Sequence, residues 1–286
     1  MVAAGPPNTS AAIGRSEAMP QLHERTLNVW QGKVQATVKM AGSGAPVLFF
    51  PGMAGLFWDE FLDRLSRQYT VYALEYPGTG ATSPQAISQI DTLWDLVLVC
   101  EEILDALGLH GIPLIGHSFG GMLACEVAAH CPQRVTKLVL MAPLGLWRED
   151  APITVGDWMA RPLEELAHVF FYNLQSEPVR RYLATPSDPQ EAGLERAQFL
   201  WALGCTAKFV WPVPDKGLKK RIHRVKAPTL VIWGQQDALI PPAYAGEFVS
   251  RIGGARLELV SEAGHTPQME QVDHVTALVL RFVASQ

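Results

Sequence analysis

Short apolar runs alternate with helical patterns along this chain, and that rhythm admits few architectures. Val47–Phe50, Thr70–Leu74, Ile112–Ile115, Val135–Met141, Thr229–Trp233 and Arg256–Val260 read as strands. Leu56–Arg67, Asp91–Leu107, Ser118–His130, Pro242–Arg251 and Gln271–Val283 read as the helices between and after them. Strands alternating with helices predict an α/β fold: a mostly parallel sheet with helices on both faces. Two earlier β-rich pieces, Thr26–Trp30 and Lys33–Met40, read as a hairpin turning through Gln31-Gly32. Pro113 argues against regular pairing at the start of its strand.

The rhythm stops between Pro143 and Lys226. Helical patterns at Leu163–Tyr172 and Leu194–Leu203 dominate there, punctuated by Pro178, Pro186, Pro189, Pro212 and Pro214. The predicted organisation is a flexible leader over 1–20, a core made of 21–142 and 227–286, and a helical insertion over 143–226. A length of 286 residues suits that arrangement and buries roughly three quarters of the unfolded surface, so neither a disulfide nor a metal is needed for folding.

Composition narrows the partners. A net charge of −5 argues against nucleic acid, which requires a basic face. No apolar run reaches the ~18–20 residues of a membrane span. Cys100, Cys125, Cys131 and Cys205 form no CxxC pair, and the expectation is buried free thiols in a cytoplasmic protein. No metal or cofactor is expected, and the partner is a small-molecule substrate. The oligomeric state is not legible.

The chemistry centres on Gly116-His117-Ser118-Phe119-Gly120-Gly121, between a strand and a helix. A turn that tight strains the backbone of Ser118 and requires glycine two residues to either side. The serine oxygen then projects from the sheet edge, and the Phe119 N–H faces the same space. A serine hydroxyl needs a base. His265, in the loop after Arg256–Val260, reaches the same rim of the sheet. His117 adjoins the serine but points elsewhere and reads as supporting structure. Asp237, after Thr229–Trp233, is the candidate acceptor for the far imidazole nitrogen. A turn-forming role for Asp237 and an ordinary loop role for His265 are the bland alternatives.

The order Ser118, Asp237, His265 is the nucleophile–acid–base order of the α/β-hydrolases. From about Val29 onward the chain resembles that superfamily, in its form with a helical lid. The resemblance rests on Phe49-Phe50-Pro51-Gly52-Met53-Ala54-Gly55, the Ser118 motif, Trp233-Gly234-Gln235-Gln236-Asp237 and Ala263-Gly264-His265. It implies an oxyanion hole formed by the N–H groups of Phe119 and Met53. Pro51 stands where the family commonly has histidine, so the loop must be held differently.

The resemblance implies a serine hydrolase acting on an ester or related acyl bond. Relatives that open epoxides or remove halogen use an aspartate nucleophile, and Ser118 argues against both. Serine relatives that cleave carbon–carbon bonds often carry Asn before the serine and Trp after the histidine, where this chain has His117 and Thr266. That activity, hydroxynitrile lyase chemistry and a non-turnover ligand receptor remain alternatives. The insertion holds 10 aromatic residues in 84, against 15 in the other 202, which makes it the candidate source of pocket walls. Trp147, Trp158 and Trp211 are the candidate substrate contacts, although a small subdomain also needs aromatics for its own core. The basic run Lys216, Lys219, Lys220, Arg221, Arg224 and Lys226 reads as a solvated face.

Overall fold

A computed structural model describes residues 20–153 and 162–285. The strands are β1 (His23–Val29), β2 (Val34–Ala41), β3 (Pro46–Phe50), β4 (Thr70–Glu75), β5 (Ile112–His117), β6 (Val135–Met141), β7 (Thr229–Gly234) and β8 (Arg256–Val260). They form one sheet in the order β1-β2-β4-β3-β5-β6-β7-β8. The β1–β2 and β2–β4 pairs are antiparallel, and every later pair is parallel. The register slips between Ile112 and Pro113, where proline has no N–H for the ladder.

Both faces of the central strands are covered, and strand periodicity divides the core. Leu48 and Phe50 of β3, Leu138 and Leu140 of β6, and Val231 and Trp233 of β7 point to one side. They pack with helices α2 (Leu93–Ala106) and α3 (Phe119–His130). Val47, Phe49, Val139, Met141, Leu230 and Ile232 point to the other, against α1 (Glu60–Ser66) and the last helix. Such double burial explains why these strands read as continuous apolar runs.

Four helices lie between β6 and β7 among the described residues: α4 (Leu163–Phe170), α5 (Glu177–Leu183), α6 (Pro189–Ala207) and α7 (Leu218–Arg221). The chain then completes the core with α8 (Ala243–Arg251), β8, α9 (Pro267–Glu270) and α10 (Val272–Ala284). No described helix is long and apolar enough to cross a membrane.

Several expectations shift. The hairpin turn has four residues, Trp30–Lys33, because pairing stops at Val29 and Val34; Trp30, Gln31 and Gly32 are all left-handed. Helix α1 starts at Glu60 rather than Leu56, because the Asp59 carboxylate accepts from Leu62 N–H at 3.0 Å and caps it. Two of the prolines that punctuate this stretch lie in the first turns of helices. Pro178 lies in the first turn of α5, and Pro189 is the first residue of α6, whose cap is Asp188. The basic run is not simply solvated. Arg221 donates twice to Glu126, at 2.8 and 2.6 Å, and Glu126 is fully buried on α3. Arg224 donates to Ala129 C=O. The insertion therefore returns to the core through an ion pair whose carboxylate is buried and whose guanidinium is part-exposed, costly to break because it would strand that carboxylate.

Candidate active site

The strand-to-helix turn positions the serine. Ser118 sits between β5 and α3 with φ 54° and ψ −118°, a conformation unfavourable for a side-chain-bearing residue. The flanking glycines are sterically required. A Cβ on Gly116 would stand 2.5 Å from Gly120 O, and one on Gly120 would stand 2.1 Å from Phe50 O. Helix α3 can pack against β3 and β5 only without those atoms.

Ser118, His265 and Asp237 come together at the C-terminal ends of β5, β8 and β7. His265 Nε2 lies 2.8 Å from Ser118 Oγ, and His265 Nδ1 lies 2.9 Å from Asp237 Oδ2. With Nδ1 protonated toward the carboxylate, Nε2 is left as an acceptor for the hydroxyl proton. All three are buried, with Ser118 only 4% exposed. The other Asp237 oxygen accepts from Leu239 and Ile240 N–H, both at 2.9 Å, which holds the carboxylate at a fixed angle.

The supporting contacts are specific. Gln236 Oε1 accepts from Ala263 N–H, and Gln236 N–H donates to Ala263 C=O, tying the Asp237 loop to the His265 loop. Gly234 packs so closely that a Cβ there would lie 2.0 Å from Gly264 O. His117 Nε2–H donates to His265 C=O at 2.8 Å. Burial, reinforced by the neighbouring His265, pushes the His117 pKa down to about 3, so it stays a neutral donor.

The loop after β3 lies against the serine: a Cβ on Gly52 would be 3.7 Å from Ser118 Cβ. Two hydroxyls hold this loop where the expected histidine is missing. Buried Tyr76 donates to Pro51 C=O at 2.8 Å, and Thr206 of α6 donates to Met53 C=O at 2.9 Å. Burial raises the Tyr76 pKa well above its ordinary value, which keeps that donor protonated. Among the described residues, the N–H groups of Met53 and Phe119 donate to no protein acceptor.

The aromatic candidates of the insertion fare differently. Trp158 lies outside the described residues. Trp147 is half-buried against the main core, with its indole donating to Glu149 at 2.9 Å. Trp211 is 53% exposed. The aromatic ring next to the site belongs to Phe170, with its centroid 6.1 Å from that of His265. Sequence reasoning counts Phe170 among the insertion aromatics without singling it out, and has no site role for Tyr76, Gln236 and Thr206. No local pattern marks them, because each acts across a long sequence separation.

Among the described residues, one cluster elsewhere has metal-binding residue types. Donor atoms of Glu101, His130 and Cys131 lie within 4.8 Å of one another at the far end of α3 from Ser118. The His130–Glu101 hydrogen bond already pairs two of them.

The model of the alpha/beta hydrolase fold family matches residues 45–272. The chain belongs to that family. It is an α/β-hydrolase enzyme. It is similar, at 30% identity over 257 residues, to a protein of Cupriavidus necator named as the dihydrolipoyllysine-residue acetyltransferase component of an acetoin cleaving system. That match covers 86% of this chain but only 65% of the relative. It is 27% identical over 271 residues to a 2-hydroxy-6-oxo-6-phenylhexa-2,4-dienoate hydrolase of Comamonas testosteroni, with 88% of each chain covered. Among solved structures, an esterase from Exiguobacterium antarcticum superposes with a TM-score of 0.74. At 20% identity, with 91% of this α/β-hydrolase and 99% of the esterase covered, that likeness bears on the fold alone.

Proposed function

We propose that this α/β-hydrolase cleaves an ester or related acyl bond of a moderately apolar small molecule through a covalent acyl-serine. The reading rests on the hydrogen-bonded line from Ser118 Oγ through His265 to Asp237. Ser118 Oγ attacks the substrate carbonyl carbon while its proton passes to His265 Nε2. Asp237 keeps the imidazole in the required tautomer and stabilises it when charged. The negative oxygen of the tetrahedral intermediate accepts from the N–H groups of Phe119 and Met53; one such donor contributes ~2.7–4 kcal/mol in related chemistry. The C–O bond breaks, the leaving alcohol takes the proton from His265, and water releases the acid by the same steps reversed.

The helices between β6 and β7 serve in this proposal as a lid. Ser118 is buried beneath surrounding structure, so substrate enters by displacement of part of it. The Phe170 ring borders the site and contributes apolar wall. Buried free thiols at Cys100, Cys125 and Cys205 fit a reducing, cytoplasmic setting.

A second reading, hydrolysis of a carbon–carbon bond, draws support from the Comamonas testosteroni relative. The replacement of the expected Asn and Trp by His117 and Thr266 favours the ester reading. Turnover of aryl esters of increasing acyl length, run beside a vinylogous diketone on wild type and Ser118→Ala, decides between them. The ester reading requires Ser118-dependent ester turnover that exceeds diketone turnover. The reverse preference establishes the second reading, and full activity in Ser118→Ala removes both.

A further inference from the structure

His265 lies in a short loop between β8 and α9, and two groups bind that loop to the end of α4 and the segment that follows it. His265 N–H donates to Phe170 C=O at 2.9 Å. The second group is the half-buried carboxylate of Glu270, at the end of α9. Its Oε2 accepts from Gly264 N–H at 2.7 Å. Its Oε1 accepts from Tyr172 N–H at 2.7 Å and Asn173 N–H at 3.1 Å. One carboxylate thus serves three backbone donors from two separate stretches, and one of those donors is immediately next to the base.

We propose that Glu270 is a positioning residue: its ionised carboxylate brackets the residue before His265 to the chain leaving α4 and so sets the imidazole against Ser118. The assignment rests on the reading of His265 as the general base. Only an ionised carboxylate fits all three donors. Glutamine would offer one oxygen and turn an N–H donor toward the remaining N–H. Aspartate keeps the charge but is one methylene short of spanning both stretches. Burial holds the Glu270 carboxyl above the usual carboxylate range, with the three N–H bonds opposing and Asp237 adding like-charge repulsion. Asp237 is thus the charged group bearing on Glu270, and it is also the partner of His265. The bracket couples the helical insertion to the base without any insertion side chain entering the chemistry.

The test compares wild type, Glu270→Gln and Glu270→Asp, each checked for native circular dichroism and melting temperature. The readouts are the rate constant for labelling by a fluorophosphonate, and kcat and KM for an aryl ester. The proposal expects both variants to fold. It expects Glu270→Gln to label and turn over about tenfold more slowly, with KM within about twofold, as for loss of one charge-assisted hydrogen bond. Glu270→Asp falls between it and wild type. Wild-type labelling rates in Glu270→Gln overturn the proposal. So does a loss accounted for by a reduced folded fraction. Failure of the wild type itself to label removes the serine-hydrolase reading instead, so the two failures are distinguishable.

Discussion

The core strands and the inserted helices contribute to the site in different ways. The core supplies side chains: Ser118, Asp237 and His265 each follow a parallel strand, and each is aimed by backbone geometry next to it. The insertion supplies mainly hydrogen bonds to core backbone. Thr206 bonds to Met53, Trp201 donates to Gly78 C=O at 2.8 Å, Gln198 donates to Thr79 C=O, and Phe170 C=O accepts from His265 N–H. The contrast shows that an aromatic-rich insertion can act as a brace for core loops, whatever it also contributes as a wall for substrate.

The largest expected effect tests the core side. Ser118→Ala should lower kcat/KM for an aryl ester by about 10⁵-fold or more, measured against the uncatalysed rate. Asp237→Asn should cost about 10⁴-fold through the wrong imidazole tautomer, with the fold retained because Asn still accepts from Leu239 and Ile240 N–H. A loss below about tenfold there would make Asp237 a turn residue, since a tautomer effect is much larger.

The smaller effects test the brace. Thr206→Val removes the hydroxyl from Met53 C=O and keeps the shape, so kcat should fall about tenfold while KM holds, for one lost hydrogen bond of ~1–1.5 kcal/mol. Trp201→Phe loses the bond to Gly78 and should cost about 1 kcal/mol in denaturant unfolding, with little change in kcat. Trp211→Ala, at a half-exposed position, should change stability by no more than about 0.5 kcal/mol and leave acyl-chain preference intact. A shifted chain-length preference in that variant would restore the substrate-wall role to Trp211 and blur the contrast.

Much of the core was legible because its signals are local. β6 and β8 fall on their sequence-read bounds: β6 ends in a buried apolar run, and β8 alternates polar and apolar residues between turn residues, and both signals are contained in the strand itself. Ser118, His265 and Asp237 could be located because strand ends in such a sheet converge on one rim. The insertion was harder to read. Proline stands inside the first turn of a helix as readily as it ends one, so the sequence pattern shows no α5 and only the middle of α6. The pairing of Arg221 with Glu126 joins residues 95 apart, and nothing local in a basic run distinguishes a fork onto a buried carboxylate from a solvated face. Tyr76, Thr206 and Glu270 hold the site by the same kind of distant contact.

The central claim, that Ser118 is the nucleophile activated by His265, is tested most directly by mass spectrometry after incubation with a fluorophosphonate. One covalent adduct should form on the wild type and map by peptide digestion to Ser118. It should be absent from Ser118→Ala. An adduct of equal yield in Ser118→Ala, or one mapped to another residue, would contradict the account.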